Sequence, residues 1–141
     1  MSTELRIELS HIEPLIWRKV IVPSGITLDN LHLVVQAAMG WENSHLHMFI
    51  INDKRYEVKF DDDPFPSEIE SFDEQDFILG NLVKTGDAFQ YIYDFGDDWH
   101  HRIVVSSMND GKVSAPKCTG GEHACPPEDC GGPFGYPRGH L

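Results

Sequence analysis

A chain of 141 residues, 40% hydrophobic and 11% aromatic, is long enough for one packed core and too apolar to remain a disordered coil. Eleven Lys and Arg against 23 Asp and Glu leave a formal net charge of −12. That balance disfavours a nucleic-acid partner, which draws most of its affinity from clustered cations, and suits a cationic partner or a bound metal better. No run of about eighteen apolar residues is present to span a membrane.

The N-terminal MSTELRIELSHIEP alternates with charges and lacks the apolar core of a signal peptide, so a cytoplasmic protein is expected. Within it LRIELS, from Leu5 to Ser10, has the period of a half-buried strand, and WRKVIV, from Trp17 to Val22, reads as a second strand closed by Pro23-Ser24-Gly25. Next, TLDNLHLVVQAAMG predicts a helix from Thr27 to Met39, with Thr27 as N-cap, Asp29 in the first turn and Gly40 at the C-terminal stop. Leu28, Leu31, Val35 and Ala38 share one helical face, widened by Val34 and Met39. SHLHMFII then predicts a strand, and NDK joins it to RYEVKF as a hairpin. Between Asp61 and Asp76, eight of sixteen residues are acidic, which points to a solvated loop. FILGNLVKTG fits either a short helix or a turn. AFQYIYDF and HHRIVVSS are expected to pair antiparallel across GDDW, and NDGK, residues 109–112, to turn into a last strand ending near Cys118. One helix among many antiparallel strands defines an α+β domain.

Three stretches carry chemistry. In SHLHMF a strand would put His45 and His47 on one face roughly 7 Å apart, a pair able to chelate a metal or simply to pack in a core beside Phe49 and Ile51. In YDFGDDWHH, Asp94, Asp97, Trp99 and His101 crowd a strand end, either as turn architecture or as an acid–base or metal-binding group. In CTGGEHACPPEDCGG the three thiols Cys118, Cys125 and Cys130 have six and four residues between them, unlike the paired spacing of zinc ribbons. A zinc ion held there would need one imidazole as fourth ligand, with His101 or His123 available. The odd cysteine count otherwise favours free thiols over a disulfide scaffold.

Taken together, IEPLIWRKVIVPSGITLDNLHLVVQAAMGWENSHLHMF, YIYDFGDDWHHRI and CPPEDCGGPFGY resemble the plasmid pRiA ORF-three-like family, in the family's order and over residues 4–136. The resemblance implies an α+β fold with one helix packed against an antiparallel sheet and an origin in plasmids and other mobile elements, and it brings no defined reaction. The family's marked positions fall here on Trp17, Arg18, Gly40, Trp41, His45, His47, Asp94, Gly96, Asp97, Trp99, His101, Pro127, Glu128, Asp129, Gly131, Gly132 and Tyr136. Relatives usually continue into a further helical stretch, whereas this sequence stops at PRGHL, so residues 1–141 are expected to form a single domain without that extension. A resolvase label borne by some members finds no activated serine, arginine cluster or DNA-binding module here.

The expected protein is thus an acidic binding or accessory module for a protein or small-molecule partner. Its polar centre would gather His45, His47, Asp94, Asp97, Trp99, His101, Glu128 and Asp129. A small metal-dependent, hydrolytic enzyme with Glu128 or Asp129 activating water is the alternative, and a DNA-transaction accessory protein the second.

Overall fold

The apolar–charged alternation of the first strand decides which side of the sheet becomes the interior. In β1, Ser2–Leu9, the side chains of Leu5, Ile7 and Leu9 are fully buried, and Glu4, Arg6 and Glu8 occupy the alternate, partly exposed positions. The structure is a computed structural model and describes residues 1–11, 16–41, 46–58, 71–94, 99–111, 113 and 115–122. Further along the chain come β2 (Ile16–Pro23), α1 (Leu28–Met39), β3 (His47–Ile51), β4 (Lys54–Glu57), β5 (Ser71–Asp73), β6 (Ala88–Tyr93), β7 (Trp99–Asn109) and β8 (Lys117–Glu122). Short 3-10 turns cover Glu74–Asp76 and Leu79–Asn81.

The strands form one sheet in the order β5-β4-β3-β6-β7-β1-β2-β8, antiparallel throughout except for the parallel β4–β5 pair. One main helix on a mostly antiparallel sheet is the α+β architecture expected. Asn52 and Asp53 both take positive φ, 52° and 63°, which is the two-residue turn that lets β3 and β4 close as a tight hairpin. Among the described residues no helix is long and apolar enough to cross a membrane.

Helix α1 begins after Thr27, whose side chain accepts from Asn30 Nδ2 at 3.0 Å instead of capping the helix backbone. It ends at Gly40 with φ +74°, where the Gly40 N–H returns to Ala37 O and the Trp41 N–H to Gln36 O. This paired closure needs a left-handed residue, and glycine takes that conformation without a Cβ penalty. Its consequence is positional, because the reversal turns Trp41 inward, where it is buried. Arg18, from β2, donates its Nε to Ala38 O at 3.3 Å and so sets a cation against the negative end of the helix.

Two stretches depart from the sequence reading. The acidic run is not wholly a solvated loop: its last residues, 71–76, form β5 and a 3-10 turn, and Glu74 is buried. Nor does NDGK lead to a strand ending near Cys118. Both edges of β7 are already taken, by β6 and β1, so the chain passes two strands and begins β8 at Lys117, on the far edge of β2.

A buried polar and aromatic centre beneath the helix

Helical periodicity puts Leu28, His32 and Gln36 in one row, and all three are buried with Leu31, Val35 and Met39. The two polar members of the row meet Tyr91 on β6. Gln36 Nε2 donates to the Tyr91 hydroxyl at 2.9 Å, and that hydroxyl lies 2.5 Å from His32 Nδ1. An oxygen that accepts from Gln36 keeps its own proton and a second lone pair, so it can donate to His32 Nδ1 or accept from it, according to the imidazole tautomer. Beside this chain of bonds, His47 on β3 donates Nε2–H to Glu74, 2.9 and 2.8 Å from its two carboxylate oxygens. The His32 and His47 rings are stacked with centroids 3.4 Å apart and planes 7° from parallel. Five buried polar side chains from a helix, two strands and a 3-10 turn therefore find partners in one another, as a folded core requires.

On its other side Tyr91 faces His101, with ring centroids 5.1 Å apart. His101 and Trp99 occupy alternate positions of β7 and project to the same interior face. Trp41 closes over them, 5.6 Å from Trp99, edge-on to His101 at 5.4 Å and stacked on Tyr93 at 5.3 Å. His101 Nδ1 lies 3.1 Å from the carbonyl oxygens of both Tyr91 and Trp99, so this nitrogen carries the proton and Nε2 presents its lone pair. Burial pushes the His101 pKa down to about 4, against the upward pull of the two carbonyls; neighbouring His100 adds to the lowering. Among the described residues, His101 Nε2, an acceptor, and Trp99 Nε1–H, a donor, are both buried without a hydrogen-bond partner. The centre is thus closed on the His47 side and chemically open on the Trp99 side.

Of the residues singled out from sequence, His47, Asp94, Trp99 and His101 lie in the described structure, buried, at one end of β3, β6 and β7. Asp94 adopts a left-handed φ of +60° and donates its backbone N–H to Leu46 O at 2.8 Å, joining the ends of β6 and β3. His45, Asp97, Cys125, Glu128, Asp129 and Cys130 are outside the described residues. Cys118 is exposed on β8, opposite Val20, and its Sγ lies 3.6 Å from Gly120 O. Three strand intervals separate β8 from β7, roughly 14 Å. The described geometry therefore does not bring Cys118 and His101 together. Sequence reading missed His32, Gln36, Glu74 and Tyr91. For the first two a signal existed, since they fall four apart on the very face that carries Leu28, Leu31 and Val35.

One main helix laid across a mostly antiparallel sheet, with a histidine- and tryptophan-bearing centre between them, defines the class: an α+β domain with a buried polar centre. Its family follows from comparison. The chain belongs to the plasmid pRiA4b ORF-3-like proteins, whose family model matches residues 2–139. It is similar to the uncharacterised protein y4hQ of Sinorhizobium fredii, with 39% identity over 137 residues that cover 94% of this chain and 68% of the relative. It is also similar to a protein of unknown function from Methanosarcina mazei Go1, MM3350, whose crystal structure superposes with a TM-score of 0.84 at 31% identity, covering 96% of this chain and 77% of the other.

Proposed function

We propose that this protein is a cytoplasmic binding or accessory module, of plasmid or other mobile-element origin. Its ligand group is small and neutral, a hydroxyl or carboxamide carrying one donor and one acceptor. The observation that carries the reading is that Trp99 Nε1–H and His101 Nε2 are each buried without a hydrogen-bond partner among the described residues. An unsatisfied buried polar group costs roughly 1–3 kcal/mol, so one group that pairs both atoms recovers several kcal/mol. The Trp41 and Tyr93 rings supply the aromatic wall such sites use. The lowered proton affinity of His101 keeps its lone pair available at neutral pH.

One observation favours the metal-dependent alternative. An imidazole whose Nδ1–H rests on backbone carbonyls while Nε2 stays bare is oriented as metal-binding histidines are. A nucleic-acid partner has less support. On the outer face of the sheet Arg6 pairs with Glu8 at 3.0 Å and Lys19 with Glu4 at 3.2 Å, so these two cations are already compensated.

The test is a 15N NMR titration of untagged protein with formamide and, separately, with zinc ion. Saturable movement of Trp99 Nε1–H together with His101 Nε2 on adding formamide, abolished in His101→Phe, supports the reading. A response of His101 Nε2 confined to zinc transfers the site to a metal. Linear drift with both reagents overturns both.

A further inference from the structure

The other face of the sheet carries a concavity that the buried centre does not use. A groove of about 570 Å³ crosses it from the end of β1 to the β3–β4 turn. This is within the size range of small-molecule sites, roughly 300–1,000 Å³. In register, Ile50 stands beside Gln90, Gln90 beside Arg102 and Arg102 beside Glu8, so one row of side chains runs across β3, β6, β7 and β1. Ile50 and Ala88 give the groove an apolar floor, with the Gln90 carboxamide between them and Arg102.

The two ends of the groove differ in charge. At one stands Arg102, flanked by His100 and His11, and at the other stands Asp53 in the hairpin turn. The Arg102 guanidinium holds Glu8 at 3.2 Å, yet its side chain is 59% exposed, and an ion pair so exposed is weak. A guanidinium also has five N–H donors, so it can receive a second carboxylate without releasing the first. Arg102 and Asp53 are separated by two strand intervals and about three residues along β3, which together place their backbones roughly 14 Å apart. An extended chain of four residues spans about the same length.

We propose that this groove binds a short peptide with free termini, of about four residues. Its carboxylate lies on Arg102, its ammonium on Asp53, and a central amide on the Gln90 side chain. His101, whose imidazole belongs to the centre beneath the helix, also borders the groove, but none of the three peptide contacts proposed here uses it.

Tetra-alanine is the probe, compared with its N-acetylated and C-amidated forms and followed through the Gln90 side-chain amide by NMR. Tetra-alanine should bind saturably, and blocking either terminus should weaken it at least tenfold. Arg102→Gln should weaken the unblocked peptide about tenfold and abolish the effect of amidation. Asp53→Asn, which keeps a residue tolerant of the left-handed turn, should do the same for acetylation. Both positions are exposed, so unchanged melting temperatures will confirm that the variants fold. Absence of saturation, equal binding of the doubly blocked peptide, or dependence on only one terminus overturns the proposal. Movement of the Trp99 indole without movement of Gln90 also overturns it, while leaving the proposed function standing.

Discussion

Acid should destabilise this fold through His101, by an amount its environment sets. In the unfolded chain the imidazole titrates near 6.5, whereas in the folded protein burial holds it at about 4. Above pH 6.5 both states are neutral there, and the residue adds no pH dependence. Between 6.5 and 4 the unfolded chain takes up a proton that the folded protein refuses, so stability present above 6.5 is lost as the pH falls. Each pH unit is worth about 1.4 kcal/mol, and a gap of about 2.5 units amounts to roughly 3 kcal/mol by pH 4. Against a typical total of about 5–15 kcal/mol, that loss is large. The control is His101→Phe, which keeps a ring against the edge of Trp41 and cannot titrate. The variant should be weaker at pH 7, because the Tyr91 and Trp99 carbonyls lose their imidazole donor. The readout is the difference in unfolding free energy between wild type and variant, from urea melts at pH 7, 6, 5 and 4. That difference should shrink by roughly 3 kcal/mol across the series. A constant difference would refute the assignment, because other titrating groups are common to both proteins.

Leu31→Ala removes a fully buried side chain from the sheet-facing side of α1 and should cost roughly 2–5 kcal/mol in denaturant melts; a change under about 0.5 kcal/mol would mean the helix face is wrongly placed. Glu74→Ala strips His47 of its acceptor in a buried site and should cost roughly 1–3 kcal/mol. Glu74→Gln retains an oxygen acceptor and should cost clearly less, so equal losses in the two variants would argue against the hydrogen bond as the cause.

Much of the fold was legible because single elements announce themselves locally. Alternation in LRIELS, the Thr27-to-Gly40 frame of the helix and the NDK turn are each decided within about ten residues, and each is present. The position of β8 was not legible. NDGK is a good hairpin turn in isolation, but whether a strand can pair beside β7 depends on whether that edge is vacant, and β1 fills it from the opposite end of the chain. Local turn chemistry cannot report on an edge occupied more than ninety residues away.

The site divides along the same line. His47, Asp94, Trp99 and His101 stood out because polar and aromatic residues crowd a short stretch of chain. Their partners gave no such density: Glu74 lies inside an acidic run that reads as solvated, and Tyr91 looks like an ordinary core residue of an alternating strand. What makes them a site is their meeting in space, where Glu74 and His47 come from positions 27 apart and His32 and Tyr91 from positions 59 apart. A lone acidic side chain on the helix side of this sheet would be too costly to bury, and its place is explained only once His47 is opposite it. The same reasoning separates the two halves of the centre. Where every polar atom has a partner, the arrangement is accounted for by folding. At Trp99 and His101 a donor and an acceptor are buried without a hydrogen-bond partner among the described residues, and folding alone gives no account of them; the proposed ligand rests on that difference.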